Sequence, residues 1–292
     1  MGDKSGISWC DATNNAQRGC SHAGRRGCDT CYAESQAANP YFGAPGKPYD
    51  GLTRNGRWTG EVRFVPKALV TALGWRKPRI IFWDSMSDIW HPKVPAWQQA
   101  AQLGVAAATP QHVHCFLTKR PGRAAKWHED MNNRFAGRYT VPAMLEWAAI
   151  HDPESPAYDA LLRAANQSAG KSLPQRNILL GTTVSGPEDL DQLERLFDSP
   201  SFGYFASFEP LLEPIGVPPA LLRKLSLAII GCESGALRRP CPLSAVVSLV
   251  KQCQAVGVAV HVKQIDICGR VISDPADFPD YLRLREMPRR SA

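Results

Sequence analysis

Several absences narrow what this chain can be. No apolar run in its 292 residues approaches the roughly 20 residues needed to cross a bilayer, so no membrane partner is expected. The opening residues MGDKSGISWCD hold no apolar segment of the kind a secretory signal needs, and Gly6 stands where an N-myristoylation pattern calls for Ser or Thr. A cytoplasmic location is the expectation. No G-x-G-x-x-G opens a helix after the first strand, which leaves a dinucleotide fold without support. No repeat of fixed period, low-complexity linker or long basic tail is present, and residues 1–292 read as one domain. The basic residues are scattered, with small groups only at Arg238-Arg239 and Arg289-Arg290.

Hydrophobic residues make up 44% of the chain, enough for a sizeable core, and the length suits one α/β barrel of about 250 residues with insertions. The net charge of +7 and pI near 9.0 suit a polyanionic partner such as nucleic acid, although a merely basic surface has the same charge.

Short apolar, β-branched runs recur and stop at polar turns: 79–88, 112–121, 177–186, 203–212, 225–235 and 258–266. Unbroken runs such as IIF, ILL and LAII mark strands buried on both faces, as in parallel sheets. Between them lie helical patterns at 94–109, 188–198 (acidic first turn after Pro187) and 243–257 (ending on Gly257). A seventh strand is expected near 7–13. The alternation predicts an α/β fold, a partial or complete (β/α) barrel with mostly parallel strands. Residues 39–78, rich in Gly, Pro and aromatics, and residues 122–176 read as inserted segments, the second as a lid or partner-binding cap.

Sites in such folds collect at the C-terminal ends of the strands. The runs end here in Asp84, Ser85, Ser87 and Asp88; Thr118 and Lys119; Thr182, Thr183 and Ser185; Glu209; Glu233 and Ser234; and Lys263, Gln264 and Asp266. Turns are polar in any protein, but six such turns in succession would meet at one mouth. Glu209 and Glu233 sit in apolar or glycine surroundings and need fixed partners, for which Lys119 and Lys263 are available.

Cys20, Cys28 and Cys31 are spaced C-x7-C-x2-C. In a reducing compartment such a cluster more often binds metal or does chemistry than forms a disulfide. Three readings are open. A structural zinc site needs four ligands, and no second C-x2-C supplies the rest. A thioredoxin-type redox pair leaves Cys20 unexplained. A [4Fe–4S] cluster on three thiolates leaves one iron free for a small molecule. Gly19 and Gly27, each before a cysteine, would let the backbone wrap closely.

A loop of three cysteines after the first strand of a (β/α) barrel resembles the radical S-adenosylmethionine superfamily. More closely, the chain is similar to a bacteriophage-associated three-cysteine-motif family of unassigned function. The stretches that carry this likeness are SWCDATNNAQRGCSHAGRRGCDTCYAE, GLTRNGRWTGEVRFVPKAL, IIFWDSMSDIWHPKVP, CFLTKRP, FASFEPLLEPI, IIGCESG and VKQ. The sequence departs from the superfamily's usual C-x3-C-x2-C: seven residues fill the first gap, and Thr30, not an aromatic, precedes Cys31. Cys232 stands where IGGESG-like stretches carry Gly.

The resemblance implies that Cys20, Cys28 and Cys31 hold a cluster that binds S-adenosylmethionine. It implies a cofactor-binding role for Ser85, Ser87, Asp88, Thr118, Lys119, Thr182, Ser185 and Glu209, and catalytic roles for Lys263, Glu233 and Cys232, the last as a hydrogen-atom donor. It further implies modification or repair of DNA or another nucleic acid, a protein partner or electron donor, and the host cytoplasm as the place of action. The rival from another class is a non-enzymatic nucleic-acid- or protein-binding phage protein stapled by zinc.

Overall fold

The computed structural model describes residues 5–137, 139–235 and 237–287; Arg289 and Arg290 lie outside the described residues. Eight strands form one sheet: β1 (Ala12–Asn14), β2 (Ile80–Trp83), β3 (Val113–Thr118), β4 (Ile178–Thr183), β5 (Gly203–Phe208), β6 (Leu225–Gly231), β7 (Ala259–Ile267) and β8 (Arg270–Ile272). They lie in chain order across the sheet. β1 to β7 pair in parallel, and β8 folds back antiparallel on β7. All seven expected strands are present.

β8 carried no turn signal in the sequence. Its two-residue turn is Cys268-Gly269, both at positive φ (50° and 76°). Cysteine is not a residue that announces such a turn. The Asp266 carboxylate fixes the turn by accepting from Gly269 N at 2.8 Å.

Helices alternate with the strands. The three expected ones are found as α1 (Ala96–Ala108), α5 (Leu190–Phe197, after a 3-10 turn at Pro187–Asp189) and α6 (Leu243–Ala255). The inserted segment holds most of α2 (Pro121–Arg134), with α3 (Val141–His151) and α4 (Tyr158–Asn166). α3 and α4 pack on each other and on α1. The small residues of α1 allow this: a Cβ at Gly104 would stand 2.8 Å from Leu145 Cδ2 on α3.

Alternation along the strands divides the core. One face of the sheet points its Ile81, Trp83, Phe116, Leu180, Ala206, Phe208, Ile230 and Val260 at the helices. The other carries Phe82, Cys115, Leu179, Phe205, Leu227 and Ile229 around Trp9. The Trp9 ring lies 4.7 Å from Phe82 on β2 and 6.0 Å from Phe205 on β5. A flat sheet would set β2 and β5 about 14 Å apart, so the sheet curls round Trp9. Ser8 Oγ meets His261 Nε2 on β7 at 3.0 Å, carrying the N-terminal segment across to the far strands. Among the described residues no ladder joins β1 to β7 or β8, so the complete barrel allowed by the sequence is not formed.

Candidate metal centre and adjoining cavity

The cysteine loop leaves β1 through Gln17–Arg18, which pairs antiparallel with Arg63–Phe64 of the first excursion. Gly19 follows at φ +83°, where a Cβ would lie 2.3 Å from Glu61 O, so only glycine fits. A 3-10 turn spans Arg26–Cys28, and Cys31 precedes the helix Tyr32–Ala38. Gly27 presses the loop onto the strand ends: a Cβ there would meet Lys119 Cε and Ser185 Oγ, each at 3.1 Å.

Three arginines pin the loop to distant segments. Arg25 bonds Asp191 at 3.1 Å and Asp189 at 3.5 Å; Arg26 bonds Glu188 at 2.9 Å and also Glu213. Arg239 donates to Arg26 O at 2.8 Å and to Thr30 Oγ1 at 3.0 Å, while holding Glu233. Thr30 Oγ1 donates to the same Glu233 carboxylate. Opposite charges thus fix a segment that has little apolar surface to bury.

Cys20, Cys28 and Cys31 line one cavity of about 80 Å³, together with Ser85, Ser87, Asp88, Thr118, Lys119 and Arg120. Burial opposes the charge on Lys119. Cys31, Cys28, Cys20 and Asp88 together outweigh it and raise the lysine above its ordinary value. Burial, then Asp88, pushes the Cys20 thiol up to about 11 against the pull of Arg120. Arg120 Nη1 lies 3.8 Å from Cys20 Sγ, and Ala23 N donates to Cys28 Sγ at 3.5 Å.

Asp88 is saturated from within the protein. It accepts from Thr118 Oγ1 at 2.8 Å, Lys119 N at 3.2 Å, Arg120 Nη1 at 3.0 Å and Trp90 N at 3.0 Å. It shapes the wall of the cavity. Ser87 Oγ donates to Gly19 O at 2.6 Å, and Ser85 Oγ to Asn15 Oδ1 at 3.0 Å.

A larger cavity of about 540 Å³ adjoins the first and shares Cys31, Tyr32, Ser85, Lys119 and Thr183 with it. Trp9 and Phe82 contribute its apolar lining; Glu209, Glu233, Lys263 and Gln264 are among its polar groups. Lys263 and Glu209 form an ion pair. No described residue of 122–176 lines either cavity.

The structure therefore brings together the three cysteines, Ser85, Ser87, Asp88, Thr118, Lys119, Glu209, Glu233 and Lys263. It sets three expected residues apart. Thr182 is fully buried and donates to Thr118 O at 2.9 Å, while its neighbour Thr183 faces the cavities. Ser185 lies buried behind Gly27. Cys232 belongs to the apolar cluster on the helix side of the sheet. For Thr182 and Cys232 the cause is strand parity, since successive side chains point to opposite faces; Ser185 shares the parity of Thr183 and is covered by the loop at Gly27. In runs apolar on both faces, such as ILLGTT and LAIIGCE, parity leaves no trace in composition. The sequence alone does not single out Arg120 or Arg239 as site residues, and Arg239 stands in it only as half of a basic pair; Thr183 is among its strand-end candidates.

The donor set fits a sulfur-ligated anionic cluster in kind. Three thiols share one cavity, a backbone N–H points at one sulfur, and two cations stand beside them. Among the described residues no three His, Cys, Asp or Glu side chains are already gathered round one point. Binding such a cluster would need the three thiols to come closer together. All nine cysteines are free, and Cys10, Cys115, Cys232, Cys241 and Cys253 are buried elsewhere. Among the described residues no helix is long and apolar enough to cross a membrane.

Comparison with curated proteins and with solved structures gives no match. One family model matches residues 4–272, nearly the whole chain. The chain belongs to the family described as "Protein of unknown function (DUF5131)".

Proposed function

We propose that this protein is an iron–sulfur enzyme of the radical S-adenosylmethionine type, built on a partial (β/α) barrel and acting on nucleic acid in a phage context. The observation that carries the reading is the convergence of Cys20, Cys28 and Cys31 on one small cavity opening into a larger one at the C-terminal strand ends. Cys20, Cys28 and Cys31 would hold three irons of a [4Fe–4S] cluster. When bound, the cluster and S-adenosylmethionine supply one-electron cleavage of a sulfonium bond and a 5′-deoxyadenosyl radical.

The chain's own residues have three tasks in this reading. Lys119 and Arg120 offset the negative charge of the thiolates. Trp9 and Phe82 form an apolar wall that keeps water from the reacting centre. Lys263, Glu209 and Glu233 offer charged groups to a ligand in the larger cavity. The basic balance of the chain and the exposed Lys47 and Arg54 of the first excursion favour a polyanionic substrate. The reducing electron would come from a separate donor protein.

The test is anaerobic purification with metal analysis, followed by assay for 5′-deoxyadenosine with and without DNA. Brown protein containing about four irons per chain, and loss of both iron and cleavage in Cys28→Ala, are expected. Colourless protein holding one zinc per chain would replace this reading with the zinc-stapled binding protein.

A further inference from the structure

Nine buried side-chain atoms without a protein partner sit round the turn at Asp84. They are both amide atoms of Asn14, Gln17 and Gln102, with Asp84 Oδ2, Arg18 Nε and the Tyr49 hydroxyl. Asn14, Gln17 and Gln102 are fully buried, and Asp84 and Tyr49 are 3% and 4% exposed.

These groups belong to one place. Asp84 N donates to Asn14 O at 2.8 Å, and Gln17 N donates to Asp84 Oδ1 at 2.8 Å. Gln102 on α1 faces the same carboxyl without closing a hydrogen bond. Arg18 lies over the Tyr49 ring at 5.6 Å, and both Arg18 and Asp84 act electrostatically on Tyr49. Asp84 itself has φ +51°, which ends β2 and swings Ser85, Ser87 and Asp88 toward the cysteines.

Buried polar atoms in native proteins find partners, because leaving each one bare costs about 1–3 kcal/mol. The chemistry of this set selects the partner. Asn14 Oδ1, Gln17 Oε1 and Gln102 Oε1 accept; the three amide NH2 groups, Arg18 Nε and the Tyr49 hydroxyl donate; the Asp84 carboxyl, which burial pushes well above its usual range, can do either at Oδ2. A cation would serve the oxygens alone and would stand beside the Arg18 guanidinium. An anion would serve the donors alone and would leave the three amide oxygens bare. Water serves both.

We propose that a cluster of about three ordered water molecules, at about three hydrogen bonds each, occupies a built polar site between the end of β1, the Asp84 turn and α1. The site joins the first excursion (Tyr49), the strand that launches the cysteine loop (Asn14, Gln17, Arg18) and the helix layer (Gln102). It holds the turn that forms one wall of the cysteine cavity. The inference does not depend on the bound cofactor.

A high-resolution crystal structure of the full chain tests it. Ordered waters bridging Asp84 Oδ2 to the Asn14, Gln17 and Gln102 amides are expected. Direct amide–amide and amide–carboxyl bonds with no intervening density would overturn the proposal. So would a single site contacted only by oxygens that gives an anomalous signal after rubidium exchange. Gln102→Leu is the second arm. A hydrated site predicts a fall in Tm of several degrees that is the same in sodium, potassium and choline chloride. An unchanged or raised Tm means the groups were dry, and a cation-specific Tm means an ion; either result defeats it. If Gln102→Leu does not fold, the crystal structure of the wild-type chain decides alone.

Discussion

Arg239 grips Glu233 through its backbone N–H (2.7 Å), Nε (3.2 Å) and Nη2 (2.7 Å), and the same guanidinium reaches Arg26 O on the cysteine loop. Two positions six residues apart thus bind a segment more than two hundred residues away. Glu233 is 5% exposed, so the pair works largely shielded from water.

Arg239→Ala should leave a buried carboxylate without its partner and release the loop. Removing one member of a buried pair costs about 3–5 kcal/mol; with the arginine side chain 28% exposed, about 1–3 kcal/mol is expected after screening. The measurement is denaturant unfolding together with iron content after anaerobic reconstitution. Arg239→Lys, which cannot bridge Glu233, Thr30 and Arg26 in one plane, should recover stability better than iron retention. Equal iron content in all three proteins would exclude a positioning role.

Asp88→Asn should cost about 3 kcal/mol or more, because Arg120 would remain buried opposite a neutral amide. Arg120 also donates to Ser21 O at 2.8 Å, so the damage should extend to the cysteines. Proteolysis within residues 21–31 should quicken relative to the wild type. Unchanged cleavage there would show that the Asp88 network ends at the strand.

Gly181→Ala would drive a methyl group to 2.4 Å from the Phe205 ring on the neighbouring strand. Overpacking of this kind costs about 1–3 kcal/mol. Phe205→Leu makes room, so the double variant should be more stable than the two single costs added together, by about 1 kcal/mol. Strict additivity would mean that Phe205 does not fill the space above Gly181.

Acid should weaken the fold through its buried histidines. His114 accepts from Trp83 Nε1 at Nδ1 (2.8 Å) and meets Thr109 Oγ1 at Nε2 (2.9 Å), an arrangement for one neutral tautomer. Burial lowers its pKa to about 3, and that of His128 to about 4, from 6.5. Between pH 6.5 and about 4 the unfolded chain takes up protons that the native chain refuses. Stability should therefore fall as pH drops through this window, by about 1.4 kcal/mol per unit for each histidine. His128→Gln should remove one such share of the slope in urea titrations at pH 6.5, 5.5 and 4.5.

The apolar runs IIF, ILL and LAII were enough to locate the strands and to say that helices cover them, because a doubly buried strand has to be apolar throughout. The same property hid which residues face the cavity. Thr182 and Thr183, or Cys232 and Glu233, exchange faces with a shift of one residue, and nothing in an unbroken apolar run marks the parity. Close cysteine spacing pointed to a candidate centre, and Gly19 and Gly27 to a tightly wrapped loop, because these depend on local backbone geometry. Arg25, Arg26 and Arg239 gave no warning: each meets partners far along the chain, and a surface arginine looks the same in sequence as one that clamps a loop. The curl of the sheet round Trp9, the seam left unpaired between its outer strands and the meeting of the two cavities were decided by tertiary packing. They arise from side-chain volume and long-range charge pairing, which exist only once distant segments are in contact.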